Sequence, residues 1–127
     1  MKNTFFIITF FILFIISFSP VFASQWVLIE DMAVGKVMLD TESIKEERFS
    51  ITSANVKVIS QMRVPAGSKE VKAVVTSYEF DCRKNKFRTV DPIYYFSDGS
   101  EDKLKETSLW QDSKDNLTQS LKNYLCK

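Results

Sequence analysis

Residues 71–82, VKAVVTSYEFDC, decide the fold of this chain. Apolar and aromatic side chains alternate here with polar ones, and this period of two is typical of a β-strand with one buried face. One predicted face carries Val74, Thr76, Tyr78, Phe80 and Cys82, and the other carries Val75, Ser77, Glu79 and Asp81. The stretch therefore predicts a strand that directs Cys82 into the core.

Two short apolar runs nearer the start of the chain predict an antiparallel hairpin. They span 26–29 and 36–39, and the segment 30–35 between them has the polarity and the glycine of a turn. Residues 40–43 predict a second turn, in which Asp or Ser side chains accept from free backbone amides. Ile44 follows this turn and is expected to pack beneath the sheet.

Two further strands are predicted on either side of the 71–82 strand. Residues 55–64 alternate until Ile59, where the phase changes and a bulge is expected. This strand should end at residues 65–68, because Pro lacks the amide hydrogen of a ladder and Gly favours a turn. Residues 87–96 are rich in β-branched and aromatic types, and Asp91-Pro92 predicts a bulge or a sheet edge within them.

Only the end of the chain has a helical pattern. Leu117, Leu121 and Leu125 recur at a spacing of four residues, which places them on one face of an amphipathic helix. Asp112 or Ser113 is expected to cap its start. Because so short a helix is unstable alone in water, it should pack on the sheet. The predicted fold class is α+β: a small antiparallel β-sheet with a C-terminal α-helix packed on it and tied by a disulfide.

Residues 1–23 have the features of an export signal. Lys2 supplies a positive charge, residues 5–18 are strongly apolar, Pro20 follows them, and residues 21–23 end in the Val-x-Ala pattern of a cleavage site. The mature domain is therefore expected to span residues 24–127. The apolar run is also near the length of a membrane-spanning helix, so an uncleaved anchor is the alternative. The expected junction has no cysteine for a lipoprotein anchor.

Export places both cysteines, Cys82 and Cys126, in an oxidising compartment. Cys126 directly follows the apolar face of the helix, and Cys82 ends a strand whose face points to the core. We therefore expect one disulfide that joins helix to sheet. It would close a loop of about 45 residues, which corresponds to about 4 kcal/mol in the chain-entropy model.

Charge and composition exclude several classes of function. Residues 1–23 carry one charge, Lys2, and their removal leaves 16 of the 17 basic residues to balance 16 acidic ones. A mature domain near zero net charge is not expected to bind nucleic acid or a membrane surface. Contact with the membrane is expected only through the signal peptide before cleavage. The chain contains no histidine, the commonest general base and metal ligand, so we do not expect an enzyme.

The remaining candidate metal and redox features are weak. Asp98, Glu101 and Asp102 lie beside Gly99 in a loop expected over residues 97–102. Carboxylates bind calcium, but their spacing matches no complete calcium loop, so we interpret them as a solvated turn. Residues 106–110 predict either a last strand or an irregular connection. The two cysteines lack the Cys-x-x-Cys spacing of a redox catalyst. No cofactor or metal is therefore predicted.

Two groups of side chains are candidates for partner binding. The basic group Arg83, Lys84, Lys86 and Arg88 surrounds a predicted hairpin turn and suits a sulfated glycan or an acidic partner. Its alternative interpretation is a solvated hairpin tip. The aromatic group comprises Phe87, Tyr94, Tyr95 and Phe96. Alternation directs Tyr94 and Phe96 to one face and Tyr95 to the other, so some of these rings belong to the core.

Several of these features together resemble the surface-adhesin protein E family of exported bacterial proteins. They are the opening 26–29 run, the Asp-x-x-Ser-Ile turn at residues 40–44, the Asp81-Cys82 strand end, the Tyr94-Tyr95 pair and the terminal Cys126. The resemblance covers nearly the whole mature domain. It implies a small antiparallel sheet with a C-terminal helix held by a disulfide, and an adhesin that binds host extracellular proteins.

Three functional hypotheses follow. The first is an exported binding module, periplasmic or secreted in a Gram-negative bacterium, that contacts host extracellular proteins or glycans. The second is a soluble periplasmic accessory protein without a host ligand. The third is a hydrolase that uses a lysine-activated serine or a pair of carboxylates.

Overall fold

A computed structural model describes residues 25–127 of the chain. The signal peptide predicted for residues 1–23 and the mature start at Ser24 lie outside the described residues. Within the described part, no helix combines the length and apolar character needed to span a bilayer. The elements in chain order are β1 Trp26–Met32, β2 Gly35–Asp40, a 3-10 turn Thr41–Ser43, β3 Lys45–Arg48, β4 Ile51–Ala66, β5 Lys69–Asp81, β6 Lys86–Phe96, β7 Glu101–Lys103, β8 Gln111–Asp112 and α1 Asn116–Leu125.

The strands form one antiparallel sheet of eight strands in the order β1-β2-β4-β5-β6-β7. The short strand β3 also pairs with β4, and β8 also pairs with β6. The predicted antiparallel sheet, C-terminal helix and disulfide are confirmed. The described residues 25–127 are mostly β, however, because they contain one 10-residue helix and eight strands, so the class α+β describes this part only coarsely.

The core lies between one face of the sheet and α1. The predicted strand is β5, and its Phe80 is 1% exposed in the core cluster on this face. Leu121 of α1 is 0% exposed against the same cluster, as the four-residue leucine spacing predicts. The only α-helix within residues 25–127 packs on this face. We call the opposite face of the sheet, which no helix covers in this part of the chain, the open face.

Two local predictions about turns and caps are wrong. Asp115, rather than Asp112 or Ser113, caps α1, because its carboxylate accepts from the Thr118 amide at 2.7 Å. Asp112 belongs instead to β8, where it pairs with Lys86 of β6. Ile44 does not pack beneath the sheet and is 38% exposed, because the 3-10 turn leads directly into the exposed strand β3.

The predicted bulges are present. The pairing of β4 with β5 shifts register between Ile59 and Val64. The pairing of β5 with β6 shifts at Asp91-Pro92, because Val75 lies opposite Ile93 whereas Ser77 lies opposite Val90.

Several predicted boundaries change in the structure. The first hairpin turn is shorter than predicted, because β1 continues to Met32. The loop predicted over residues 97–102 is also shorter, because β7 begins at Glu101. Residues 106–110 form the irregular connection that was one of the two alternatives, with a single bridge from Thr107 to Val90.

Candidate functional site

The basic group predicted from the sequence lies at one end of the open face. Lys84, Lys86 and Arg88 line a single depression of about 340 Å³, together with Arg48, Ile51, Asp81 and Trp110. Arg83, the fourth predicted residue, is exposed in the same turn but does not line the depression. We call this depression, defined by its seven lining residues, the basic depression.

Four neighbouring segments position these side chains. Lys86 and Arg88 are two residues apart on β6, so they share one face of the sheet. Across the ladder they pair with Asp81 and Glu79 of β5. Arg48 reaches the same place because β3 pairs with the start of β4, which in turn pairs with the end of β5. The site therefore depends on sheet register rather than on one contiguous motif.

Asp81 fixes the turn that carries Lys84. Its carboxylate accepts from the Ser50 hydroxyl at 2.8 Å and from the backbone amides of Arg83 and Lys84 at 3.2 Å each. The hydrogen bond from Ser50 is the main reason that the pKa of Asp81 lies below its ordinary value of 3.8, and the two amides act in the same direction. Asp81 is therefore ionised at neutral pH and holds the turn in place.

Arg88 is the most constrained cation in the basic depression. Its Nε donates to Glu79 at 2.8 Å, and its guanidinium lies 4.7 Å from the centre of the Trp110 ring. The Lys86 Nζ lies 3.8 Å from a carboxylate oxygen of Asp112. Both side chains are partly exposed, so this ion pair is expected to contribute little to stability. Arg48 and Lys84 form no ion pair within 4.0 Å in the part of the chain that the structure describes.

The charge balance of the basic depression favours an anion. Its lining contains four cationic side chains and one carboxylate, Asp81, and a second carboxylate, Glu79, is engaged by Arg88. Clustered cations on a nearly neutral protein attract anionic groups and speed their association. Trp110 adds an aromatic surface beside the cations, and such amphipathic rings are frequent anchors at binding surfaces.

A model of the family described as surface-adhesin protein E matches residues 26–127. The chain belongs to this family. Solved structures of Haemophilus influenzae protein E share the fold. Crystal form II has a TM-score of 0.62 at 13% identity and covers 86% of this chain and 94% of that one. Protein E from non-typeable Haemophilus influenzae has a TM-score of 0.59 at 14% identity, with coverages of 86% and 81%. No curated protein sequence matches the chain.

The features that suggested the protein E family occupy structurally connected places. Asp81 ends β5 and organises the turn, and Cys82 follows it and pairs with Cys126 beyond α1. The turn at residues 40–44 is held by Asp40, whose carboxylate accepts from the Glu42 amide at 3.1 Å. Membership of a surface-adhesin family implies an exported or surface protein.

Sequence reasoning missed Arg48 and Trp110. Strand β3 is exposed at every residue, so its segment has no alternation that predicts a strand. Trp110 lies in the irregular connection, where only the sheet can show that it meets Arg88. Phe87 belongs to the core, as predicted for some of the four aromatic rings, because it is 8% exposed and stacks on Phe80.

The acidic group of the sequence does not form a common site. Asp98 accepts from the Ser100 amide at 2.9 Å and lies 3.7 Å from Lys69. The Ser100 hydroxyl is the main cause that lowers the pKa of Asp98 below 3.8. Glu101 lies 3.6 Å from Lys103 on β7. Within residues 25–127 no three Asp, Glu, Cys or His side chains are grouped closely enough to hold a metal ion.

Proposed function

We propose that this protein is an exported, non-enzymatic, adhesin-like module that binds an acidic extracellular protein or a sulfated glycan through the basic depression. One observation carries the proposal: Arg48, Lys84, Lys86 and Arg88 converge on one open concavity whose lining includes a single carboxylate. Membership of the surface-adhesin protein E family supports an adhesive role at the cell surface.

The two classes of cation in the depression have different expected roles. Arg88 is held by Glu79 and by the Trp110 ring, so it presents a preorganised guanidinium. Arg48 and Lys84 have no ion pair in the described chain, so a ligand anion meets them without displacing a partner. Sulfate and carboxylate groups suit such a site because they accept several charge-assisted hydrogen bonds.

Immobilised heparin is the direct test of this proposal. The exported protein should bind it, and Arg48→Glu with Lys84→Glu should weaken binding by about tenfold or more, because two attractions become repulsions. Binding by the wild type should also fall steeply with added salt. The matched control replaces Lys36 and Lys105 by Glu, because both are exposed, lie outside the basic depression and change the net charge equally.

Three results would count against the site. They are absence of binding to heparin and to soluble extracellular-matrix proteins, equal binding at low and high salt, and equal losses in the site variant and the control. Surface location is tested separately by treating intact cells with protease. A surface adhesin is degraded, whereas a periplasmic protein is protected. Protection together with absence of binding would favour the periplasmic accessory role.

A further inference from the structure

A second depression lies on the open face, toward the other end of β5. Its volume is about 470 Å³, within the usual range for small-molecule sites, and it shares no lining residue with the basic depression. Its floor consists of Ile59, Ala73 and Val75, and two aromatic rings, Trp26 and Tyr95, line it as well. We call it the apolar groove.

The register of the sheet explains why the surface is concave here. Ile59 of β4, Ala73 of β5 and Tyr95 of β6 lie directly opposite one another in one cross-strand row. Neighbouring side chains in such a row are about 5 Å apart, so a methyl group between two large side chains leaves a hollow. Val75, two residues along β5, continues the apolar floor on the same face.

Two lysines provide the charge of the apolar groove. Lys57 is held with its Nζ 4.2 Å from the centre of the Trp26 ring. Lys72 reaches the groove because the pairing of β5 with β6 is irregular at this residue. Val71 pairs with Phe96 and Ala73 pairs with Tyr95, so Lys72 between them has no residue opposite it on β6. Strict alternation would place Lys72 on the face opposite to Ala73, and a bulge redirects such a side chain. Among residues 25–127, no acidic residue lines the groove.

We propose that the apolar groove binds a small amphipathic anion, with an apolar chain or ring on the floor and a carboxylate or sulfate head at Lys57 and Lys72. The apolar floor and aromatic rings favour a hydrocarbon body, and two lysines without a lining carboxylate favour an anionic head. A neutral sugar would leave both cations without a counter-ion. This site is independent of the proposed binding at the basic depression.

Tryptophan fluorescence tests this site with sodium decanoate as the probe. The full chain is expressed so that the cell exports the protein. Trp110→Phe leaves Trp26 as the sole tryptophan, because the chain has two. Decanoate, added below its micellar concentration, should change the Trp26 emission until the signal saturates. Calorimetry should give a stoichiometry of one decanoate per chain. Acetate, which has only the head, should give no change. Decanol, which has only the chain, should bind about tenfold more weakly.

Variants of the groove separate its shape from its charge. Ala73→Phe fills the hollow while keeping both lysines, and it should abolish decanoate binding. The double variant Lys57→Gln and Lys72→Gln keeps the hollow. It should weaken decanoate binding by about tenfold without changing decanol binding. Lys36→Gln is the matched control, because Lys36 is exposed on β2 opposite Ile59 but does not line the groove. Circular dichroism and thermal unfolding establish that each variant folds.

Several results would overturn the proposal. They are a decanoate signal that does not saturate, equal affinity for decanoate and decanol, and unchanged binding in a folded Ala73→Phe protein or in the double lysine variant. The protein could also form a dimer that Ala73→Phe disrupts but decanoate does not. The groove would then bind a second copy of the chain, and the proposal would be overturned. Heparin binding at the basic depression is unaffected by any of these outcomes.

Discussion

Cys82 and Cys126 form a disulfide with their Cα atoms 5.6 Å apart and 44 residues apart in sequence. Cys82 directly follows β5, and Cys126 is the C-terminal cap residue of α1. Both side chains also pack against the buried core cluster. The bond therefore fixes the last helix on the sheet beside the turn that supplies Lys84.

Replacing both cysteines by Ser should lower the free energy of unfolding by about 2–5 kcal/mol, because the unfolded chain regains the freedom of a long loop. Denaturant unfolding of the exported proteins measures this difference. Thiol titration of the folded wild type is the control and should detect no free thiol. Two titratable thiols in the native protein would refute the pairing.

The docking of α1 is tested at Leu121, which is fully buried against the sheet. Leu121→Ala should lower the free energy of unfolding by about 2–5 kcal/mol, because it removes apolar contacts and leaves a cavity. Asn123→Ala is the control on the exposed side of the same helix and should change it by less than about 0.5 kcal/mol. Similar losses at the two positions would contradict the observed packing of α1.

The parts of the fold that the sequence predicts are those with a strong local period. Strand β5 alternates from Val74 to Asp81, and the leucines of α1 recur every four residues, so each element identifies its own buried face. Once those faces are known, Cys82 and Cys126 are the only two cysteines available to join them. The disulfide and the packing of α1 on the sheet were therefore predictable from the sequence.

The candidate sites depend on relationships between distant strands, which a local pattern does not contain. Arg48 joins Lys84 because an exposed four-residue strand pairs with β4. Lys72 faces the apolar groove because the ladder shifts register beside it. Neither effect changes the local sequence period, so the sequence identified the basic hairpin but neither Arg48 nor the groove.

The last prediction concerns Tyr78, whose ring packs in the core. Its ring centre lies 6.2 Å from that of Phe80 and 6.0 Å from that of Phe87. Burial in this aromatic cluster is the main cause that raises the pKa of Tyr78 above 10.0, and the negative charge of Asp115 raises it further. In the unfolded chain the phenol loses both effects and ionises at lower pH.

Stability should therefore fall as the pH rises above 10, because the unfolded chain releases the Tyr78 proton before the folded protein does. Absorbance at alkaline pH should show that Tyr78 ionises only together with unfolding, and Tyr78→Phe should remove that step. Asp115→Asn separates the two causes, because Asn also caps helices but carries no charge. This variant should lower the pKa of Tyr78 only in part, since burial is the larger effect. A return to the ordinary value of 10.0 would show that the charge of Asp115, and not the aromatic cluster, controls the phenol.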